Sequence, residues 1–189
     1  MRVIAGTARG IPLQVPRDRL TRPISDRVKE TLFGILGERV TDANVLDLYA
    51  GSGAIGIEAL SRGAEHATFV ERGAPAVSVL RTNLERTGFA DHASVVAGDV
   101  LAFLERNAAR GHGLAILDPP YDERAILAPL QHLAAQMELG GTVVVKHFWR
   151  TPVPEPGGLV QVRVRRFGET TLTFLERVAR QAPDAEGSS

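Results

Sequence analysis

Residues 45–56, VLDLYAGSGAIG, join a short apolar run to a helix-forming segment through a turn that is rich in glycine. Gly51, Gly53 and Gly56 have the spacing of the dinucleotide-binding fingerprint, in the strand–turn–helix context that this fingerprint requires. Glycine lets the backbone approach a ligand closely, and the start of a helix favours an anionic group. The stretch therefore predicts a cofactor-binding turn after a buried strand.

Strands and helices alternate along the chain from this turn onward. Apolar periodicity predicts strands at 44–49, 67–71, 94–99, 114–118 and 142–147, and helices at 54–62, 74–87, 100–107 and 123–137. Such alternation is typical of a doubly wound α/β fold, in which helices cover both faces of a mostly parallel sheet. Further strands at 159–167 and 171–178 predict a C-terminal antiparallel hairpin.

The residues before the first strand are interpreted as a separate region. Residues 1–39 are predicted to form a small β-hairpin and a helix that begins at Ser25 or Asp26. The main domain would span residues 40–178, and the polar segment 179–189 is predicted to be disordered.

Composition excludes several kinds of chemistry. The chain of 189 residues has no cysteine, which excludes disulfides, thiolate metal sites and a cysteine nucleophile. Its five histidines show no metal-ligand spacing, so no metal is expected. No apolar run is long enough to span a bilayer, which predicts a cytoplasmic protein without membrane contact. Residues 1–33 carry seven basic and three acidic side chains. This excess of positive charge indicates either ordinary surface variation or a basic rim that binds a polyanion.

Three carboxylates lie at the ends of three successive predicted strands. Asp47 stands four residues before Gly51, where a negative charge suits a cationic amino acid group and suits a pyrophosphate badly. S-adenosylmethionine has such a group, and Asp47 could hold its ammonium, Glu71 its ribose and Asp99 its adenine amine. A nicotinamide or flavin oxidoreductase that uses the same glycine turn remains an alternative.

The fourth strand ends in Asp118-Pro119-Pro120-Tyr121, and in a doubly wound sheet this strand lies beside the first. The Asp118 carboxylate and the Pro119 carbonyl could accept the two N–H groups of an exocyclic amine on a nucleobase, while Tyr121 stacks on the ring. Positioning then carries the methyl transfer without a covalent intermediate. Guanine, adenine and cytosine amines, in RNA or DNA, all fit this arrangement.

The sequence resembles the amino-directed nucleic-acid methyltransferases at the segment 118–121, which is similar to their motif IV, and at LDLYAGSGAIGIEALSRG, which is similar to their motif I. RPISDRVKETLF (22–33) and RRFGETTLTFLE (165–176) are similar to signatures of the RsmD-type 16S rRNA guanine-N2 methyltransferases. The resemblance implies a Rossmann-like methyltransferase that uses S-adenosylmethionine. It also implies a substrate of 16S rRNA in a partly or fully assembled small ribosomal subunit.

The resemblance also assigns candidate residues. Cofactor binding is expected from Asp47, Tyr49, Ala50, Gly51, Ser52, Gly53, Glu71, Arg72, Asp99 and Val100. Catalysis is expected from Asp118, Pro119, Pro120 and Tyr121, and RNA binding from Arg9, Arg22, Arg27, Lys29, Tyr121 and Lys146.

Residues in and after the predicted fifth strand include one departure from the family pattern. Lys146 stands where the family pattern leads us to expect an acidic residue, and the neighbouring His147 is expected to be structural. Trp149 is expected to pack at a domain edge, with RNA stacking as the alternative. Arg163 and Arg165 are interpreted as a solvated face of a strand, with phosphate contact as the alternative.

Overall fold

A seven-stranded sheet organises the residues described by the computed structural model, which are 1–16, 24–106, 111–119 and 124–179. The strands are β1 (Asn44–Leu48), β2 (His66–Glu71), β3 (Ala93–Ala97), β4 (His112–Leu117), β5 (Met137–Phe148), β6 (Leu159–Phe167) and β7 (Thr170–Arg177). The helices are α1 (Asp26–Leu36), α2 (Ala54–Ser61), α3 (Ala74–Thr87), α4 (Val100–Arg106) and α5 (Arg124–Gln136).

The strand order is β3-β2-β1-β4-β5-β7-β6. Strands β1 to β5 pair in parallel, and β7 pairs antiparallel with both β5 and β6. The chain moves outward from β1 to β3 and then returns, so β4 pairs with β1 at a topological switch point. The predicted α/β fold with a C-terminal antiparallel hairpin is confirmed.

Side chains alternate between two apolar cores because successive residues of a strand point to opposite faces of the sheet. Val45 packs into the core under α1, α2 and α3, whereas Leu46 and Leu48 pack into the core under α4 and α5. The same alternation places Asp47 on the α1–α2–α3 side. The pleat therefore decides which face receives each polar side chain at the strand ends.

The fifth strand begins earlier than the sequence predicts. A strand was expected from residue 142, but β5 begins at Met137, directly after α5. Its register with β4 is irregular between His112 and Leu114. Gly140 has a φ of +79°, and a Cβ at Gly141 would lie 2.9 Å from a backbone carbonyl oxygen. Glycine therefore permits this irregular start, which the apolar pattern alone does not reveal.

The N-terminal hairpin packs on the end of α2. Its two arms meet at one isolated bridge, Arg2 to Pro12, so it is shorter than the pair of strands that the sequence predicts. The Glu58 carboxylate of α2 accepts hydrogen bonds from the Ile4 and Ala5 amides at 2.8 and 3.0 Å. These contacts place the first residues of the chain on the same apolar core as α1 and α2.

Lys29 of α1 completes this attachment as a buried cation. Its ammonium lies 3.0 Å from the Glu58 carboxylate and donates to the Arg2 carbonyl at 2.6 Å, and both charged side chains are 0% exposed. The prediction that Lys29 binds RNA is therefore wrong, because its charge is enclosed in the protein and neutralised there. The helical position of Lys29 gave no sign of this, since the partner is on another helix.

We expect Lys29→Met to lower the free energy of unfolding by about 3 kcal/mol, because it removes the buried ammonium from the Glu58 carboxylate and leaves this carboxylate with the partly exposed Arg62 guanidinium, 2.9 Å away. Arg27 is exposed on the same helix, and Arg27→Met should stay within about 0.5 kcal/mol of the wild type. Urea unfolding followed by circular dichroism measures both. Equal losses in the two variants would contradict a structural role for the buried pair.

Candidate active site

The glycine turn lies between β1 and α2 and is held by two carboxylates. Asp47 accepts a hydrogen bond from the Gly56 amide at 2.9 Å. Glu71, at the end of β2, accepts from the Gly51 amide at 3.0 Å and from the Gly73 amide at 2.7 Å. Both carboxylates therefore fix the backbone of the turn, in addition to the ligand contacts predicted from the sequence.

Backbone conformation in the turn depends on left-handed residues. Gly51 and Gly53 have φ values of +55° and +77°, and Tyr49 has a φ of +60° although it is not glycine. A Cβ at Gly53 would lie 2.2 Å from a Leu80 methyl group, whereas the space beside Gly51 is open. The strained tyrosine backbone is a feature of functional sites, and the open side of Gly51 leaves room for a ligand.

Asn83 of α3 supports the turn and was missed by the sequence interpretation. Its side-chain amide is fully buried and donates to the Ser52 carbonyl at 2.9 Å and to the Gln14 carbonyl at 3.0 Å. Its oxygen accepts from the Gln14 amide at 2.8 Å. The available signal was a polar residue on the buried face of a helix, but it does not show what the side chain contacts.

Asp47 is held in an environment that disfavours its charge. The residue is 2% exposed, and burial raises the pKa of its carboxyl to about 8. The Gly56 amide opposes this shift, whereas the charges of Asp118 and Glu71 add to it. A cationic ligand beside Asp47 would therefore be stabilised by the ionised form and would promote loss of the proton.

A pocket lies at the end of β3. Its volume is about 370 Å³, and it is lined by Val96, Ala97, Gly98, Asp99, Ala102, Phe103 and Arg106. Asp99 is exposed, and one of its carboxylate oxygens accepts from the Ala102 amide at 3.0 Å at the start of α4. Val100 is buried in the core beneath, so its side chain lies away from the pocket. The Phe103 ring can pack against a purine, and the Asp99 carboxylate can accept a hydrogen bond from an amine on that purine.

Asp118 follows β4 and pairs with Lys146 of β5. The register of Leu117 with Val145 brings the next two residues side by side, and the Lys146 ammonium donates to Asp118 Oδ1 at 2.6 Å. Their side chains are 25% and 13% exposed. Burial raises the pKa of the Asp118 carboxyl, and the Lys146 ammonium opposes this rise.

A cavity of about 510 Å³ adjoins this ion pair. It lies between the start of α1 and the turn from β6 to β7, and its lining includes Arg27, Lys146, Arg166 and Glu169. Its size is that of a small-molecule or nucleobase pocket. Arg27 and Lys146 were both predicted to meet the substrate, and the structure places them in one cavity. Arg166 is an additional lining residue that the sequence interpretation did not select.

Three other predicted site residues, Arg22, Pro120 and Tyr121, lie outside the described residues. Pro119 lies within them and is buried. Ala50, Ser52 and the exposed Arg72 belong to the turn or directly follow β2. Arg9 is exposed in the N-terminal hairpin and follows Thr7 and Ala8, whose amides donate to Ser61 at the end of α2.

His147 is bonded on both sides of its ring. Nδ1 lies 2.8 Å from the Phe148 carbonyl oxygen and Nε2 lies 2.8 Å from the Thr173 hydroxyl, and burial lowers the pKa of the ring. These bonds favour the structural role predicted for it. Within the described ranges, no cluster of three acidic or histidine side chains could hold a metal ion, and no helix could cross a membrane.

The sheet order, the glycine turn between carboxylates and the Asp-Pro sequence at the switch point together define a Rossmann-like methyltransferase. The family described as Conserved hypothetical protein 95 matches residues 1–176. The chain belongs to this family, the RsmD-type methyltransferases.

Individual relatives agree with this assignment. YlbH of Bacillus subtilis, provisionally named an rRNA methyltransferase, is 37% identical over 94% of this chain and 99% of its own. Ribosomal RNA small subunit methyltransferase D of Escherichia coli is 42% identical over 64% of this chain and 60% of its own. The solved structure of yhhF from Escherichia coli, provisionally named a methyltransferase, has a TM-score of 0.86. It is 32% identical and covers 95% of this chain and 99% of that chain.

The protonated state of Asp47 predicts a pH dependence of stability. Between about pH 4 and pH 8 the folded protein holds a proton on Asp47 that the unfolded chain releases. This residue therefore makes the free energy of unfolding fall with rising pH, by at most about 1.4 kcal/mol per pH unit.

We expect Asp47→Asn to remove this part of the decline, because asparagine still accepts from the Gly56 amide but does not ionise. The stability of the variant relative to the wild type should thus increase from pH 5 to pH 8. Urea unfolding at several pH values measures the difference. Parallel stability curves for the two proteins would show that Asp47 is already ionised in the folded state.

Proposed function

We propose that this protein transfers a methyl group from S-adenosylmethionine to the exocyclic N2 amine of a guanine in the rRNA of the small ribosomal subunit. The observation that carries the proposal is the position of Asp118 at the switch point, between the glycine turn and the 510 Å³ cavity. A carboxylate there can accept from an amine that is held beside the cofactor turn.

The described residues fit S-adenosylmethionine. Asp47 offers a carboxylate for the ammonium, and the open side of Gly51 leaves space above the turn. Glu71 uses one lone pair of each oxygen for backbone amides and keeps further acceptor capacity for ribose hydroxyls. Asp99 and Phe103 line the pocket that suits the adenine. When bound, the cofactor supplies an electrophilic methyl group on its sulfonium.

Asp118 and its surroundings supply orientation and charge. The lone pair of a nucleobase amine is delocalised into the ring, so the amine becomes a better nucleophile when its N–H groups are held by acceptors. Asp118 Oδ1 is bonded to Lys146, and the other oxygen remains the acceptor that we assign to the amine. The rate enhancement comes from positioning and electrostatics, and no covalent adduct with the protein is needed.

The choice of substrate rests on relatives and on charge. Two of the relatives named above, YlbH and methyltransferase D, carry names that refer to rRNA, and the second name refers to the small subunit. Arg27, Lys146 and Arg166 give the cavity a positive lining, against one carboxylate at Glu169. Guanine N2 and a ribosomal subunit as the physical substrate follow from the family resemblance, and the chemistry at Asp118 is compatible with both.

The direct test is methyl transfer from radiolabelled S-adenosylmethionine to 16S rRNA, to small ribosomal subunits and to DNA, with mapping of the modified base. Label on guanine N2 of the rRNA is the expected result. Label confined to DNA adenine would refute the substrate assignment. Calorimetry with S-adenosylmethionine and with NAD tests the cofactor, and binding of NAD alone would favour the oxidoreductase alternative.

Asp118→Ala should lower the rate of methyl transfer by at least about a hundredfold, because the amine loses the group that orients it. Binding of S-adenosylmethionine, measured by calorimetry, should change little. Glu65→Ala removes an exposed carboxylate near the start of β2 and serves as the matched control, with activity near that of the wild type. Activity retained in folded Asp118→Ala would exclude this role for Asp118.

Lys146→Met should shift the acidic limb of the pH–rate profile to higher pH. The reason is that Lys146 lowers the pKa of Asp118, so its removal leaves the acceptor carboxylate protonated over a wider range. Lys146→Arg keeps the positive charge and should retain most of the original profile. A profile of Lys146→Met that is lower at every pH but unshifted would contradict this explanation.

A further inference from the structure

Arg166, near the end of β6, is exposed to solvent but is held in one orientation. Its guanidinium carbon lies 4.0 Å from the centre of the Trp149 ring, and its Nε donates to the Gly168 carbonyl at 2.7 Å. Arg150 also packs against this ring, at 4.5 Å from its centre. Two guanidinium groups therefore pack against the indole, although the tryptophan is itself 36% exposed.

This arrangement leaves the outer part of the Arg166 guanidinium available. In the part of the chain that the structure describes, no group accepts a hydrogen bond from its two Nη atoms. Stacking on an aromatic ring and a backbone hydrogen bond restrict the side chain before any ligand arrives, so little entropy is lost when the Nη atoms bind. A planar pair of donors with a full positive charge matches the geometry of a phosphate.

The position of Arg166 connects this group to the reaction site. Arg166 lines the same 510 Å³ cavity as Lys146, whose ammonium is bonded to Asp118. Arg27, from the start of α1, also lines this cavity. A nucleotide whose base enters this cavity toward Asp118 would place its phosphodiester backbone at the rim of the cavity, where the exposed Arg166 lies.

We propose that Arg166, oriented by Trp149, binds a backbone phosphate of the RNA next to the target nucleotide and thereby fixes the register of the base in the cavity. The inference rests on the proposed function and adds a binding site to it. Lys146 is paired with Asp118, so Arg27 and Arg166 face one carboxylate, Glu169, in the lining of this cavity. This balance favours a polyanion over a cationic ligand at the rim. Arg166 acts here as a substrate-binding group and Trp149 as its positioning residue.

The experiment compares Arg166→Gln with two controls that remove the same charge. Arg165→Gln alters the neighbouring exposed arginine, which the pleat turns to the opposite face of β6 and which does not line the cavity. Arg39→Gln alters an exposed arginine in the turn before β1, at the opposite end of the strands from Asp118. Binding of labelled 16S rRNA is measured by fluorescence anisotropy at several salt concentrations, and KM and kcat are measured with the same RNA.

Arg166→Gln should weaken RNA binding and raise KM roughly tenfold, with kcat reduced less, because a charge-assisted contact to phosphate is lost. The slope of log K against log salt should become shallower by about 0.7–0.9, the change expected for one phosphate. Both controls should change binding less than threefold. Trp149→Ala should produce part of the KM effect with an unchanged salt slope, since the cation remains but is no longer oriented.

Equal effects of Arg166→Gln and Arg165→Gln would overturn the inference, because binding would then depend on the general charge of β6. An unchanged salt slope in Arg166→Gln would also overturn it. These outcomes are distinct from failure of the proposed function, which would appear as absence of methyl transfer to RNA by the wild type. Thermal unfolding of each variant confirms that the comparison is made between folded proteins.

Discussion

The pairing of β4 with β1 is the constraint on which the site depends. At a switch point the connections from two neighbouring parallel strands lead to opposite sides, which leaves a crevice at the carboxyl ends of the strands. Leu48 of β1 lies opposite Leu117 of β4 at this point. The glycine turn follows one of these strands and Asp118 follows the other. Backbone hydrogen bonds between the strands therefore bring together the proposed cofactor turn and the proposed acceptor Asp118, before any side chain contributes.

Carboxylates serve two purposes in this crevice. A buried charge is costly unless hydrogen bonds or opposite charges compensate it. Asp47 and Glu71 accept backbone amides of the turn, and Asp118 accepts the Lys146 ammonium. The turn is thus held in a ligand-ready shape by the same groups that are proposed to contact the cofactor. Preorganisation of this kind reduces the entropy that binding must overcome.

The sequence predicts the fold, and it predicts which strand ends and turns carry the candidate site, because both follow from local patterns. The alternation of strands and helices, the glycine spacing around Gly51 and the position of Asp118 are periodic or contiguous features. Lys29, Asn83 and Arg166 could not be assigned in this way. Their partners Glu58, Ser52 and Trp149 lie on other elements, and only the packed structure shows which polar side chains are enclosed and which face the cavity.

Lys146 illustrates how a departure from a family pattern can preserve the chemistry. Burial of the Asp118 carboxyl favours its protonated form, and a protonated carboxyl loses acceptor capacity toward an amine. The ammonium of Lys146 opposes this effect on Asp118. Its hydrogen bond is to Oδ1, so the cation favours the ionised carboxylate while the second oxygen is the one proposed to accept from the substrate. A neutral residue of similar size at position 146 would fill the same space but would not maintain this charge balance. In the proposed function, the lysine therefore supports the acceptor carboxylate and also forms part of the cavity wall.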